Sequence, residues 1–442
     1  QELQAQLKWF MEDDALRLSL DELRLSNDDA EIVGGAQLAL GEGEEYPSLN
    51  LEVLFPRAAL KKVRRYIPYH KFKSVQTRKW LQKAFGGGQA SNGRFSYQGP
   101  LNSKAFKEGK AELLASFDVE NAVLHYQKGW PSLRKLKGEI IFKNASLHAR
   151  IDSGRIFNSS IRPGGQVDIK NFYRSRLDIN AAAKATLPDV IRFVGESPLG
   201  KGMEDFLAQV DSDGRTNLAL KLRIPLSDEL RGPLKVDGKL GMKNARLSLP
   251  EHNVDFNKIS GGLSFTKDQY SAKGIKAVFR DQPVVANIET KKDGQIEVSM
   301  TGDFPILDLL PEARPILEHL TSGTSRWLGT VGIPPPSARD EGESIWVNAS
   351  SLLEGVQVDL PAPLGKQASR LRDYNLRYHF TPELPGIEMT YGNSLYVLGE
   401  LEKGAGFTFR RAVIGLSEGG YQIPKNGIMI KGHWPSVQID AW

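Results

Sequence analysis

The sequence predicts a mainly β repeat protein, antiparallel strands interrupted by short helical insertions, and three observations carry that expectation. First, residues 117 to 142 open as an alternating strand with Phe117 and Val119 apolar on one face, and the alternation slips by one residue at Asn121, so that Ala122, Leu124 and Tyr126 form the next apolar set. A side-chain period of two with a one-residue slip is the pattern of a β-bulge, and Asn tolerates the left-handed backbone such a slip often needs. Second, the pattern returns 123 positions later without a gap: Phe117 maps to Leu240, Val119 to Met242, Asn121 to Asn244, Ala122 to Ala245, Leu124 to Leu247, Gly138 to Gly261, Ile140 to Leu263 and Phe142 to Phe265. A looser third copy sets Leu353, Gly355, Val356 and Val358 where Met242, Asn244, Ala245 and Leu247 stand, with an insertion before Leu376 and Tyr378. Such a unit buries its apolar face by stacking on its neighbours. Third, 43 Gly and 24 Pro supply the turns that many short strands require.

Taken in order, residues 14 to 55 alternate through Leu16, Leu18, Leu20, Leu23, Leu25, Ala36, Leu38, Leu40, Leu49, Leu51 and Val53, a meander with a turn expected at Pro56. A helical pair follows. Leu60, Val63 and Ile67 lie between Pro56 and Pro68, and Trp80, Leu81, Ala84 and Phe85 precede Gly86, Gly87 and Gly88. A second pair is expected over Leu187 to Val194 and Met203 to Val210, and a third over Phe304 to Leu320. Each repeat is therefore read as helical insertion, strands, slip and further strands. The boundaries give a meander over 1–56 and repeat units over 57–186, 187–302 and 303–442. Residues 332 to 343, with Pro334, Pro335 and Pro336, read as a loop. Along Leu218 to Ile224 the apolar residues alternate with Ala219, Lys221 and Arg223, so one face is wet and the other meets a second sheet, a curled copy of itself or a ligand.

Charge is segregated along the chain. From Met11 to Glu45 there are eleven Asp/Glu against two Arg, whereas Arg57 to Lys83 carries ten Lys/Arg and no acid, and outside that basic segment the chain is net negative although the total is +5. This points to a local contact with an anionic surface, a headgroup layer, an acidic partner or the chain's own acidic stretch, and away from a nucleic-acid surface. Arg57, Lys61, Lys62, Arg64, Arg65, Lys71 and Lys73 are the candidate headgroup contacts. Two solvated faces of opposite sign explain the same segregation.

Chemistry is scarce. There is no cysteine, and the seven histidines are dispersed without metal-ligand spacing, so no metal, cofactor or catalytic residue is assigned. No nucleophile elbow, Walker loop or dinucleotide fingerprint occurs. Carboxylates such as Asp118, Glu120 and Asp359 alternate along strands, as on a solvated face. No run reaches the length of a membrane-spanning helix, and the chain opens at Gln1 in strand-like sequence, as a central piece of a longer protein would.

Four segments carry a family resemblance. They are Asn121 to Tyr126 with Gly129, Trp130 and Pro131; Ser197-Pro198-Leu199; Gly355 to Lys366 with its Leu-Pro-Ala-Pro-Leu-Gly-Lys run; and Gly432-His433-Trp434-Pro435 with Asp440 and Trp442. The chain resembles the YhdP family of Gram-negative bacteria, in the AsmA-like group to which TamB is related. The resemblance implies an elongated, curled antiparallel sheet with a hydrophobic groove, in a periplasmic protein anchored in the inner membrane that moves phospholipid to the outer membrane. On that reading the groove is lined by Leu113, Phe117, Val119, Leu124, Leu220, Leu222, Leu240, Met242, Leu247, Leu263, Phe265, Val358 and Leu376. The rival reading is a periplasmic β-repeat scaffold, or partner-binding protein, in which the same residues form a closed core.

Overall fold

A computed structural model describes residues 2–12, 15–41, 46–63, 82–102, 105, 108–126, 128–171, 176–201, 203–225, 234–250, 253–309, 314–380, 386–402, 408–417 and 420–434. The chain forms two compact units, the first of Gln1–Gly200 with Thr216–Lys239, the second of Lys201–Arg215 with Leu240–Trp442. Both are built mainly of strands.

In the first unit eight strands follow one another in sequence order. They are β1 (Glu2–Glu12), β2 (Ala15–Ser26), β3 (Ala30–Gly41), β4 (Ser48–Ala59), β5 (Phe85–Pro100), β6 (Glu112–Leu124), β7 (Leu133–Lys143) and β8 (Ser146–Ile156). Each is antiparallel to the one before. β9 (Ser159–Ile161) and β10 (Gly165–Ile169) share one place in the sheet, since both pair with β8 on one side and with β11 (Arg176–Thr186) on the other. A short helix, α1 (Leu60–Val63), leaves β4, and a longer one, α2 (Leu187–Gly195), leaves β11. Because strands alternate in direction, the ends of β4, β6, β8 and β11 lie along the same edge of this sheet, and both helices stand there.

β12 (Asp211–Pro225) and β13 (Lys235–Leu249) divide their residues between the units. The second unit holds α3 (Glu204–Ala208) and a run of antiparallel neighbours: β14 (Val254–Phe265), β15 (Tyr270–Phe279), β16 (Gln282–Thr290), β17 (Ile296–Pro305), β18 (Thr321–Ile333) and β19 (Trp346–Ser351). Between β17 and β18 lie α4 (Ile306–Leu309) and α5 (Arg314–Leu317), and α6 (Pro336–Asp340) joins β18 to β19. β20 (Val356–Val358) continues along β18 past a break in β19. β21 (Tyr374–His379), β22 (Gly386–Tyr391), β23 (Leu395–Leu401) and β24 (Phe409–Gly415) extend the antiparallel order, and β25 (Gly427–Lys431) joins β24 in parallel.

The slips are made by left-handed residues. Asn121, Asn244 and Gly355 have φ of 53°, 52° and 84°, and Ala122, Ala245 and Val356, which follow them, are fully buried. The β6–β7 register shifts between Val119 and Ala122, as a bulge at Asn121 requires. Lys135 and Lys258, also related by 123 positions, take φ of 50° and 53°.

Two expectations are corrected. β4 runs through Pro56 to Ala59: Phe55 pairs with Gly93 and Arg57 with Ser91, leaving the residue without an N–H outside the paired positions, where proline is tolerated in a strand. Residues 332 to 343 are not a plain loop. Gly332 and Ile333 pair with β17, and Pro336, with its preset φ, opens α6. Most of the first helical pair falls outside the described residues.

Candidate functional site

Cross-strand partners assemble the apolar positions into continuous rows. In the first unit Gly34, Val53, Phe95, Ala115, Phe142, Leu147, Ile169 and Leu177 are successive partners from β3 to β11. Phe117, Ile140, Ala149, Val167 and Ile179 form the adjacent row. In the second unit the row is Ala286, Met300, Gly329, Ala349, Leu376, Met389, Val397 and Ile414. Alternation and register together therefore give each unit a sheet face that is apolar across many strands.

That face is closed at the helix-bearing edge and half-covered elsewhere. Leu60 of α1 packs into a buried cluster with Ala30, Ala58, Ala90, Val119 and Ala122, against which Phe55, Phe117, Leu136 and Ile140 pack while partly exposed. α2 is fastened to the same edge. Thr186 Oγ1 accepts from the Asp189 N–H at 3.3 Å, and the buried Asp189 carboxylate accepts from the Asn158 N–H at 3.1 Å and the Ser159 hydroxyl at 2.6 Å. Arg192 sits 4.0 Å over the Phe157 ring, and Phe193 packs on Trp130 with centroids 5.6 Å apart. In the second unit Val284, Phe304, Ile306, Trp327, Leu353, Val356 and Val358 make the corresponding buried cluster.

Away from this wall, the main tertiary contacts of the described strands are with their hydrogen-bonded neighbours and the short helices. Exposure is greatest on β1, where Leu3, Leu7, Trp9 and Met11, partners of Leu25, Leu20, Leu18 and Leu16, are 57–69% accessible. The opposite face carries charge in cross-strand pairs such as Arg94–Glu52 at 2.7 Å and Lys143–Glu112 at 3.4 Å. Exposed pairs of this kind add little stability, but they keep that face wet.

The predicted lining residues distribute between wall and open face. Leu113, Phe117 and Leu124 are half-buried on the apolar side of β6, whereas Val119 is 3% exposed inside the α1 cluster. Leu220 and Leu222 are half-buried on β12, Met242 and Leu247 on β13, Leu263 and Phe265 on β14, and Leu376 on β21, while Leu240 and Val358 are buried. Phe55, Phe95 and Phe142 share the face with Phe117, and the sequence reading passed over them. Phe55 and Phe142 stand 5.9 and 6.4 Å from the Phe117 ring, and the parity of the alternation along β4, β5 and β7 is the signal that places them. Of the basic segment, Arg57 donates to the Asn27 carbonyl at 3.3 Å, Lys62 stands 3.7 Å from Asp29, and Lys61 is exposed. Arg64, Arg65, Lys71 and Lys73 lie outside the described residues.

The Leu-Pro-Ala-Pro-Leu-Gly-Lys turn belongs to the wall of the second unit. Lys366, 5% exposed, donates through Nζ to the carbonyls of Val356 at 2.7 Å and Gln367 at 3.1 Å. Arg372 donates to the carbonyls of Pro363 and Leu364 and lies 4.6 Å over Tyr391, whose hydroxyl donates to the Leu364 carbonyl at 2.9 Å. Burial and the neighbouring guanidinium of Arg372 lower the Lys366 pKa.

Fold and site define a β-repeat protein whose strands present one apolar face, walled along an edge by bulged strand ends and short helices. The model of the YhdP protein family matches residues 1–442, and the chain belongs to that family. It is 26% identical over 334 residues to a protein of Escherichia coli strain K12 named intermembrane phospholipid transporter YhdP. That match covers 73% of this chain but 25% of the relative, so the chain spans about a quarter of the length of the protein it matches. No solved structure matches.

Proposed function

We propose that this chain is a section of a phospholipid-transport protein that holds acyl chains against the apolar face of its sheet. The observation that carries the reading is the row through Phe117, Ile140, Ala149, Val167 and Ile179, whose members share one face and stay partly exposed beside a closed wall. Each methylene withdrawn from water contributes about 0.8 kcal/mol wherever it sits on such a row, so a chain binds without a fixed position and slides at little cost. Movement along the row needs no catalytic group.

On this reading the protein works in the periplasm between inner and outer membranes, anchored through segments outside this chain, and its repeat units are bounded near residues 57, 187 and 303. Headgroup contact falls to Lys61, Arg64, Arg65, Lys71 and Lys73, since Arg57 and Lys62 are engaged by Asn27 and Asp29. The family name of the relative supports phospholipid as the ligand. The second reading, a closed scaffold, is favoured locally by the cluster around Phe304, Trp327 and Leu353, where the face has no free surface.

Native mass spectrometry and lipid analysis of the chain purified without detergent test the proposal. Phospholipid retained in near-stoichiometric amount, and lost in a folded Phe117→Arg variant, supports it. Folded protein that is lipid-free and takes up none on incubation with phospholipid overturns it in favour of the scaffold.

A further inference from the structure

Among the described residues of the first unit, cations gather without matching carboxylates at the bulged ends of three neighbouring strands. Elsewhere in that unit cations meet carboxylates across strands, as in Arg94–Glu52, Lys143–Glu112, Arg150–Glu139 at 3.6 Å and Arg223–Asp178 at 3.2 Å. At the bulged ends of β6, β7 and β8, Arg134 and Arg155 are direct cross-strand partners, a juxtaposition of like charges that destabilises a sheet unless an anion lies between them. Lys135 stands beside them, and Lys137 reaches Glu120 at 3.1 Å. Among the described residues no carboxylate pairs with Arg134, Lys135 or Arg155. Four cations thus face one carboxylate. Three of them, Lys135, Lys137 and Arg155, line a cleft of about 370 Å³ together with Glu120, Asn121, Ser153, Gly154, Ser160 and Ile161, and Arg134 stands outside that lining as the cross-strand partner of Arg155.

The second copy of the repeat shows that the fold does not require this. There the cross-strand pair corresponding to Arg134 and Arg155 is Asn257 and Val278. The position of Lys137 is Ser260, whose hydroxyl accepts from the Asn244 N–H at 3.0 Å and so satisfies the bulge from within the chain. The bulge itself is shared, with Lys135 and Lys258 both left-handed. One copy closes its bulge with a neutral hydroxyl; the other surrounds it with cations.

We propose that this cleft is a binding site for a phosphate-type oxyanion. A guanidinium fork, two ammonium groups, two serine hydroxyls and an asparagine amide offer many donors around a small volume, and such a set suits the several acceptor oxygens of a phosphate. The site does not depend on the acyl-chain reading, because none of its charged residues belongs to the apolar rows. The shared chemistry admits two sources, a free phosphate ion and the phosphate of a lipid headgroup.

The test is calorimetric titration of the whole chain with inorganic phosphate and with glycerol 3-phosphate at constant ionic strength, beside cosedimentation with phosphatidylglycerol and phosphatidylcholine vesicles. Saturable binding to either small anion, or capture by the anionic vesicles alone, is the expected result, weakened about tenfold or more by the pair Lys135→Gln and Arg155→Gln. Lys143→Gln, which removes a matched cation, leaves it unchanged. The double variant also melts no lower than the parent in phosphate-free buffer, because it relieves repulsion, and it loses the stabilisation that phosphate gives the parent. Binding to the small anions without vesicle capture identifies a free ion; variant-sensitive vesicle capture identifies a headgroup. Absence of both, or binding that the double variant retains in full, overturns the proposal.

Discussion

Gly88 lies so close to Ala122 that a Cβ on the glycine would stand 2.5 Å from the alanine Cα. Its φ is +101°, and the arrangement recurs: Gly214, at φ +118°, faces Ala245, and Gly323, at φ +102°, faces the Gly355–Val356 bend. In each case a glycine on one strand receives the bulge or bend of the strand beside it, and backbone meets backbone where a side chain has no room. This contact lets the strand ends bend into the wall, so the two halves of the repeat device, left-handed bulge and facing glycine, are needed together.

Gly88→Ala and Gly214→Ala are therefore expected to destabilise their units by about 2–4 kcal/mol each, combining the cost of a left-handed non-glycine residue with a steric clash that the backbone must move to relieve. Urea denaturation followed by circular dichroism measures this. Asn121→Gly, which keeps the backbone free to turn, should leave the midpoint nearly unchanged. Gly109→Ala, also at positive φ but with open space around its Cβ, separates the contributions, since it carries the conformational cost without the clash.

Wall and open face predict different responses to a buried charge. Val119→Arg places an unpaired cation in the α1 cluster, where several kcal/mol of desolvation has no compensation, and should lose cooperative folding of the first unit. Phe117→Arg, on the same strand and face but partly exposed, has room to carry its guanidinium to water. It should stay folded and lose lipid uptake. Near-equal loss of structure in both, by circular dichroism, would show that the face is packed as tightly as the wall.

Much of this was legible in the sequence because strands record their faces directly. The alternation of Leu16 to Val53, the slip at Asn121 and its recurrence at Asn244 placed strands and bulges, since side-chain period and left-handed tolerance are local properties. Pro56 misled because proline ends a strand only where its missing N–H would be used, and pairing is a matter of the neighbouring strand. The run of Pro334, Pro335 and Pro336 misled for a similar reason: one proline at a helix start favours what three in a row are taken to forbid. Which apolar residues are wall and which are open could not be read, because Val119 and Phe117 differ only in what α1 brings over them. The opposed Arg134 and Arg155 were equally hidden, since their register depends on bulges in both strands.

Lys366 sets two magnitudes against each other. Lys366→Met removes a buried ammonium, which relieves desolvation, but strips the Val356 and Gln367 carbonyls of their donor. Orphaning buried acceptors costs about 1–3 kcal/mol each, and methionine fills the space without replacing the bonds, so net destabilisation is expected. The lowered pKa supplies a second readout. In the window between the folded value and 10.5 the unfolded chain binds the extra proton, so this group makes stability rise with pH there. The variant should lose that rise in its melting temperature.

Tyrosines give the opposite slope at higher pH. Burial pushes the phenols of Tyr374 and Tyr126 up to about 12 from the ordinary 10.0, and it raises those of Tyr270, Tyr378 and Tyr391 as well. A folded-state pKa above the unfolded one means that the native state keeps protons the unfolded chain has released, so the stability is intact below pH 10.0 and is lost as pH rises toward about 12. Tyr374 is the group to change, because its ring packs edge-on against Trp327 with centroids 5.4 Å apart and phenylalanine preserves that contact. Tyr374→Phe should melt with the parent at neutral pH and fall less steeply above pH 10.0 by differential scanning calorimetry. If the two profiles superimpose throughout the alkaline range, Tyr374 is reached by solvent in the native state, and the cluster around Trp327 is more open than its burial implies.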